Sequence, residues 1–399
     1  MSKLEPTNEA SAMQKEISAI AEQGGGRATK VEQLIQQYCP NGVEYKRLGD
    51  VCLMERGTSA TKGTMQEGDI PVISGGRQPA FYCSQSNREG KTITVAGSGA
   101  GAGYVQYWDK PIFVCDAFSI KGNDSLNTKF IYYFLSSIQE KIYATKKGGG
   151  VPHVHISSID KFEIPVPPLP VQEEIVRILD TLTELQTELQ TELQKRKQQY
   201  EYYRDKLLSF SDLGNRGGQS VSVEWKKLGE ITTILRGKRL TKSQLSNDKQ
   251  YAVYHGGLEP LGYYESANRT ANTTMIINVG ASAGTIGYSK EDFWSSDGCY
   301  CVEHSNLFDD RYIYYVLQTQ EQQLKSKVRV AGIPTLDRPV VEDLLVPIPP
   351  LAAQQRIVNI LDRFDKLTTD ITAGLPAEIE ARRKQYEYYR DKLLTFKKK

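Results

Sequence analysis

One twelve-residue segment occurs twice in this chain, and its recurrence limits what the chain can fold into. Gln199–Phe210 (QYEYYRDKLLSF) returns as Gln385–Phe396 (QYEYYRDKLLTF), identical at eleven of twelve positions. Upstream, Pro165–Leu169 (PVPPL) returns as Pro347–Leu351 (PIPPL), and Gln172–Asp180 (QEEIVRILD) as Gln354–Asp362 (QQRIVNILD). Fainter echoes precede these: Val43–Val51 against Val223–Ile231, Phe130–Leu135 against Tyr312–Leu317, and Gly150–Pro152 against Gly332–Pro334. Between the anchors the copies part company, and 62–88 shares little with 242–269. A repeated supersecondary unit must be read before any local feature. With 399 residues, two cores of ordinary domain size are available. The order is lobe, helix, lobe, helix: an extension with a short helix over 1–42, a lobe over 43–168, a long helix over 169–212, a linker over 213–222, a second lobe over 223–350 and a second long helix over 351–399.

The helices are well signalled. Proline at each lead-in suits a first turn and cannot continue a helix backwards. In the first copy Ile175, Leu179, Leu182, Leu185, Leu189 and Leu193 form an apolar stripe with polar residues between, the pattern of a coiled-coil seam. About 40 residues at ~1.5 Å each give a rod of roughly 60 Å. Its middle is a tetrapeptide written three times, Thr183–Gln186, Thr187–Gln190 and Thr191–Gln194. Leucines at 182, 185, 189 and 193 step by 3, 4 and 4, an eleven-residue period that drifts opposite to a heptad. The second copy repeats that step at Phe364, Leu367, Ile371 and Leu375. Gly374-Leu375-Pro376 predicts a kink or break there. The two copies align at an offset of 182 before this region and 186 after it, so the second carries one more unit.

The lobes read as short strands with few helices. Thr92–Ala96, Pro111–Val114, Met275–Val279 and Tyr300–Val302 are strand-like; Phe130–Ile142 and Tyr312–Val328 are amphipathic helices. Gly97–Tyr104 and Gly280–Tyr288 are glycine-rich but lack the lysine and spacing of a phosphate-binding loop. They either approach a nucleic acid closely or simply turn two strands. Basic residues gather in corresponding loops. The first lobe offers Arg56, Lys62, Arg77 and Arg88, then Lys146 and Lys147 ahead of three glycines, with His153 and His155 just beyond. The second offers Arg236, Lys238, Arg239, Lys242 and Arg269, then Lys327 and Arg329. Such side chains bond phosphate, and arginine can also bond guanine bidentately.

Other classes are disfavoured. MSKLEPTNEA has no apolar core, so it does not read as a signal peptide, and no run reaches the ~18 apolar residues of a membrane span. Six scattered cysteines without a C-x-x-C pair fit reduced thiols and a cytoplasmic location. Cys299 and Cys301 lack the second pair that a metal site needs. The E-x-K triplets at Glu44–Lys46 and Glu224–Lys226 have no Pro-Asp before them, and no Asp/Asn-Pro-Pro-Tyr/Phe motif is present. No catalytic centre is expected. A net charge of +2 neither favours nor disfavours a nucleic-acid partner, since the distribution of charge matters more than its sum.

Together, the QYEYYRDKLL helix ends, the P-[VI]-P-P-L lead-ins and the tetrapeptide run between two lobes resemble the specificity subunits of type I restriction–modification systems, from about Lys30 onwards. The resemblance implies an α+β chain of two β-rich target-recognition domains separated by two long antiparallel coiled-coil helices in a pseudo-two-fold repeat. It implies double-stranded DNA as ligand, each domain reading half of a bipartite, asymmetric site. It also implies two methyltransferase subunits and further restriction subunits as partners, with S-adenosylmethionine, ATP and Mg on those partners and no cofactor on this chain. Tyr200, Tyr202, Tyr203, Tyr386, Tyr388 and Tyr389 crowd the helix ends. They cannot all face one seam, so some are expected to meet a partner subunit. Each tetrapeptide would then move one lobe by about 6 Å, just under two base pairs. A coiled-coil adaptor that binds only proteins is the rival reading.

Overall fold

The computed structural model describes residues 29–210, 223–369 and 374–399; the 1–28 extension, the 213–222 linker and Ile371 of the second stripe lie outside them. The chain divides into two units: Met1–Glu188 with Glu380–Lys399, and Leu189–Ile379.

In the first unit, α1 (Lys30–Tyr38) begins at a capping box in which Thr29 and Glu32 satisfy each other's backbone N–H. There follow β1 (Tyr45–Arg47), α2 (Leu48–Val51), β2 (Cys52–Arg56), β3 (Ile70–Ile73), β4 (Phe81–Cys83), β5 (Thr92–Ala96), β6 (Val105–Trp108), β7 (Phe113–Val114) and β8 (Ala117–Gly122). The lobe closes with α3 (Thr128–Ser137), α4 (Gln139–Tyr143), α5 (Ile156–Ile159) and β9 (Glu163–Pro165) before α6 (Leu169–Ser209). Its sheets run β2-β8-β5-β6, all antiparallel, then β4-β3-β7, with β3 and β7 parallel, and the pair β1-β9. Strand β5 is buried at every residue, which is why it reads as an unbroken apolar run and not an alternating one.

The second lobe repeats this strand for strand. It comprises β10 (Glu224–Lys227), α7 (Leu228–Ile231), β11 (Ile234–Arg236), β12 (Tyr251–Tyr254), β13 (Gly262–Tyr264), β14 (Thr273–Ile277), β15 (Ile286–Ser289), β16 (Trp294–Ser295) and β17 (Cys299–Val302). Then come α8 (Asp310–Thr319), α9 (Glu321–Ser326), α10 (Arg338–Glu342) and β18 (Leu345–Ile348). The sheet orders are β11-β17-β14-β15, β13-β12-β16 and β10-β18. The stretches 62–88 and 242–269, which share little sequence, therefore follow the same path. The helices expected over Phe130–Ile142 and Tyr312–Val328 are each broken, at Ile138 and Gln320, where the backbone leaves helical geometry.

Helix α6 is continuous for 41 residues. The second copy is α11 (Leu351–Thr369) and α12 (Leu375–Leu393), with Gly374 in a bend before Pro376, and Leu394–Lys399 leaves the helix. The two copies pack on each other inside each unit, and in the first the contacts show the antiparallel sense. In the first, Gln186 Nε2 donates to the Arg382 carbonyl at 3.2 Å while Thr183 bonds Tyr386, so rising numbers meet falling ones. In the second, Tyr203 stacks on Phe364 at 6.0 Å.

Each helix is bolted to its lobe by the same two motif residues. Gln172 is fully buried; its oxygen accepts from the Asn127 N–H, and its amide donates to the Ser125 and Pro167 carbonyls. Gln354 does the same with Asp309 N–H, Leu307 and Pro349. Eight residues on, Asp180 accepts from Tyr133 and Lys129, and Asp362 from Tyr315 and Arg311. Around these bolts Ile175, Leu179 and Leu182 lie buried in the first core, at about 1.5–3 kcal/mol each. The tail then closes the first unit. Val43 N–H donates to the Lys397 carbonyl, Tyr45 Oη to the Phe396 carbonyl, and Lys398 pairs with Glu163 at 2.8 Å.

Candidate nucleic-acid interface

The two lobes build a similar polar edge at the end of β2 and β11. Arg56 and Arg236 are the last residues of these strands, each followed by a glycine. A Cβ on Gly57 would meet the Cys115 and Val114 carbonyls at 2.1 and 2.5 Å; one on Gly237 would meet those of Ser296 and Ser295 at 2.1 and 2.3 Å. The Arg-Gly pair is thus dictated by a close backbone crossing.

Arg88 and Arg269 support these residues from behind. Arg88 Nη2 donates to the Arg56 carbonyl at 3.0 Å and Nη1 to Asn87; Arg269 Nη2 donates to the Arg236 carbonyl at 3.1 Å and Nη1 to Asn268. Both preceding asparagines exchange two hydrogen bonds with a backbone residue, Asn87 with Val114 and Asn268 with Ser295. These bonds hold the half-buried Arg88 and Arg269 guanidinium groups, both expected to face DNA, as struts behind the corner. The signal, an Asn-Arg pair ahead of β5 and β14, was present in both copies but hidden by divergent neighbours. One difference separates the struts. Arg88 Nε donates to Ser119 Oγ at 2.7 Å, whereas the matching position in β17 is Cys301 and Arg269 Nε is buried without a hydrogen-bond partner.

In the first lobe Arg56, His153 and His155 line one cleft of about 330 Å³ with Ser59, Cys115 and Asp116. The histidine rings stack at 6.2 Å, nearly parallel. His153 Nδ1 faces the Val151 carbonyl at 2.7 Å; a carbonyl only accepts, so that nitrogen is the donor in this contact. Ser98 donates to the Asp116 carboxylate. Sequence reasoning missed Asp116, which directly precedes β8; Asp297 lies two residues before β17, the matching strand. A mixture of arginine, imidazole and carboxylate suits base edges better than phosphate, because a carboxylate repels phosphate yet accepts from cytosine.

The second lobe fills the same places differently. Arg236 Nε reaches the Asp297 carbonyl at 3.4 Å, and His255, also missed, contacts Asp297 at 3.3 Å while its Nδ1 faces the Gly298 N–H. The paired signals Ser74-Gly75-Gly76 and His255-Gly256-Gly257 could have located this turn. Thr335 and Asp337 occupy the register of His153 and His155, and Asp337 pairs with Arg329. Asn278, buried where the first lobe has Gly97, has an amide oxygen with no hydrogen-bond partner.

The other basic candidates scatter around these edges. Arg77 lies over the Tyr104 ring at 5.0 Å and Lys146 over Tyr143 at 4.1 Å. Lys62, Lys147, Arg239, Lys242 and Lys327 are exposed, and Lys238 has its carbonyl held by Trp294 Nε1. The glycine-rich segments are turns joining β5 to β6 and β14 to β15, with Gly103 and Gly284 at positive φ. Among the described residues no group of three potential metal ligands occurs, and no helix is long and apolar enough to cross a membrane.

The six tyrosines form three equivalent pairs with different fates. Tyr200 bonds Gln318 and Tyr386 packs on the first lobe, its phenol pushed up to about 12 by burial. Tyr203 and Tyr389 are partly covered by the helix pairing and the first core. Tyr202 and Tyr388 remain about 60 and 62% exposed.

A family model described as the type I restriction modification DNA specificity domain matches this chain twice, over 40–197 and 221–381. The type I restriction enzyme EcoR124I/EcoR124II specificity subunit of Escherichia coli is 32% identical over 300 residues, spanning 68% of this chain and 71% of the relative. The crystal structure of the type I restriction–modification S subunit from M. genitalium shares the fold, with a TM-score of 0.64 and 22% identity over 89% of this chain and 97% of that one.

Proposed function

The chain belongs to the DNA specificity subunit family of type I restriction–modification systems, and from that premise we propose that it reads a bipartite, asymmetric DNA site, one half per lobe. The supporting observation is the repeated edge itself: an identical Arg-Gly corner and Asn-Arg strut in both lobes, with different residues beside them. A shared frame with unlike surroundings is what two unlike half-sites require. The frame residues position the edge, and the residues around Arg56 and Arg236 select bases.

The chain scaffolds two methyltransferase subunits, with restriction subunits joining the complex, in the cytoplasm. Tyr202 and Tyr388, exposed at matching places on α6 and α12, suit that docking. Methyl transfer and cleavage belong to the partners, which carry S-adenosylmethionine, ATP and Mg.

The test is DNA retention by the chain in complex with its methyltransferase subunits. One bipartite sequence should be held at least ~10³-fold more tightly than unrelated duplex at physiological salt. Adenine methylation mapped across the genome should lose that sequence when the gene is removed. Equal affinity for every duplex with intact subunit association would instead support the protein-only adaptor.

A further inference from the structure

Beside each Arg-Gly corner stands a seven-residue hairpin, Lys147–His153 (KGGGVPH) in the first lobe and Arg329–Thr335 (RVAGIPT) in the second. Both are closed by a backbone pair between their end residues, at 2.8–2.9 Å in the first and 2.9–3.0 Å in the second. Both are rooted in the main sheet. Gly99 N–H donates to the Pro152 carbonyl and Val154 N–H to Gly97; Gly280 N–H donates to Pro334 and Leu336 N–H to Asn278. In the first lobe the root is shared with the cleft itself, since His153 and Gly97 line it with Arg56. The first hairpin therefore holds a fixed place relative to Arg56, and the second is rooted at the matching positions of its own lobe.

What the hairpins carry is unusual for exposed turns. Val151 is 54% exposed, Ile333 70% and Val330 79%; the last two are the most exposed large hydrophobic residues among those described. Five positions separate the ends, and in both copies the fourth is β-branched and precedes proline, which favours extended backbone at that residue. The first two are unalike, two glycines against Val-Ala, and the third is glycine in both. Isolated apolar residues on a surface need no explanation, but the same one at the same tip in two diverged lobes does. The flanks are cationic, with Lys146 and Lys147 on one and Lys327 and Arg329 on the other, although Arg329 is also paired with Asp337. A flat protein interface offers no reason for an apolar point ringed by cations. A nucleic-acid groove does, because phosphates flank it and its floor presents apolar base surface such as thymine methyl groups.

Resting on the DNA-reading function above, we propose that these hairpins enter a DNA groove and place Val151 and Ile333, with Val330 beside the latter, against base edges as sequence-selecting contacts. The first lobe's glycines make a slim tip and the second lobe's valine a broader one, so the two half-sites are read by differently shaped probes.

The experiment uses the full chain in complex with its methyltransferase subunits and compares wild type with Val151→Asn and Ile333→Asn. Both side chains are largely solvated, so folding is not at stake; thermal melting and subunit co-purification verify this. Each variant should lose about tenfold in affinity for the cognate duplex, with affinity for unrelated duplex and the salt dependence unchanged. In a library of half-site variants, Val151→Asn should relax preference within one half-site and Ile333→Asn within the other. An unchanged preference profile would overturn the proposal. So would an equal fall on cognate and unrelated DNA, or a loss of methyltransferase association, which would make the tips phosphate-side or protein contacts. If the wild-type complex itself shows no sequence preference, the underlying DNA-reading function fails and the hairpin proposal falls with it.

Discussion

Gln172 and Gln354 each satisfy one backbone N–H and two carbonyls inside a sealed junction between helix and lobe. Leucine fills similar volume but leaves all three groups unpaired, and each costs about 1–3 kcal/mol when buried. Gln172→Leu or Gln354→Leu should therefore lower the unfolding free energy of its own unit by roughly 3 kcal/mol or more, read by chemical denaturation; a loss under 1 kcal/mol would mean water replaces the amide. The struts give a prediction of opposite sign. Cys301 sits where the first lobe has Ser119, and its contact with Cys299 pushes its own thiol down, with Arg269 acting in the same direction, and Cys299's up. Cys301→Ser would offer Arg269 Nε the hydroxyl acceptor that Arg88 Nε already has, so it should be neutral or stabilising by about 1 kcal/mol. A drop in melting temperature would show that the thiol's packing matters more. At this scale the sequence displayed the residues but not their duties. Arg88 reads like any loop arginine, and only its surroundings separate a strut from a ligand contact. The glutamines stood out as repeated letters with no hint of burial.

Helix α1 is held to α6 by an ion pair with one buried end. Glu174 is 5% exposed and Lys30 67%, at 2.8 Å. Burial alone would raise the Glu174 carboxyl, but hydrogen bonds from Arg177 and Lys30 outweigh it and hold the group below its ordinary 4.5. A depressed carboxylate contributes stability that is present above the unfolded value and is lost as pH falls through the folded one. Glu32, lowered chiefly by the Thr29 backbone N–H, acts in the same direction. Amide exchange protection of α1 should thus weaken below about pH 4.5, and Glu174→Gln should blunt that acid sensitivity without removing it. Unaltered sensitivity in the variant would assign the effect to Glu32 or elsewhere. Elements were largely legible where pattern and packing are local: the proline lead-ins, the seam of α6, the buried runs of β5 and β14, and the interruption near Gly374. Sheet order was not, because β2 pairs with β8 and β3 with β7 across long separations that no local pattern encodes. Nor was the end of the second helix, where Leu394–Lys399 leaves helical geometry to pair with Val43, a contact between opposite ends of the chain.

Across the whole molecule, the boundary between the two units falls at Glu188–Leu189, inside the tetrapeptide run. No residue from Thr183 to Gln199 is buried, so this stretch of α6 contributes length and little core. Within the first unit Gln186 of this stretch meets α12 at the Arg382 carbonyl, and the lobes' own contacts belong to the segments on either side. Removing Thr187–Gln190 takes out one unit, shortens the helix by about 6 Å and rotates the rest of α6 by about 40°, small enough to preserve most of the seam. If the helices set the distance between two independently folded readers, the deletion should change the gap between the half-sites by one or two base pairs and leave both half-site sequences as they were. The measurement is the methylation motif produced by the variant complex. Altered half-sites would mean that the helices shape the reading edges themselves, and an unaltered gap would mean that the spacing is set by the partner subunits. The sequence points to this division of labour in the extra tetrapeptide of the second copy, since a difference in length between two otherwise matching helices is expected where core packing does not depend on it.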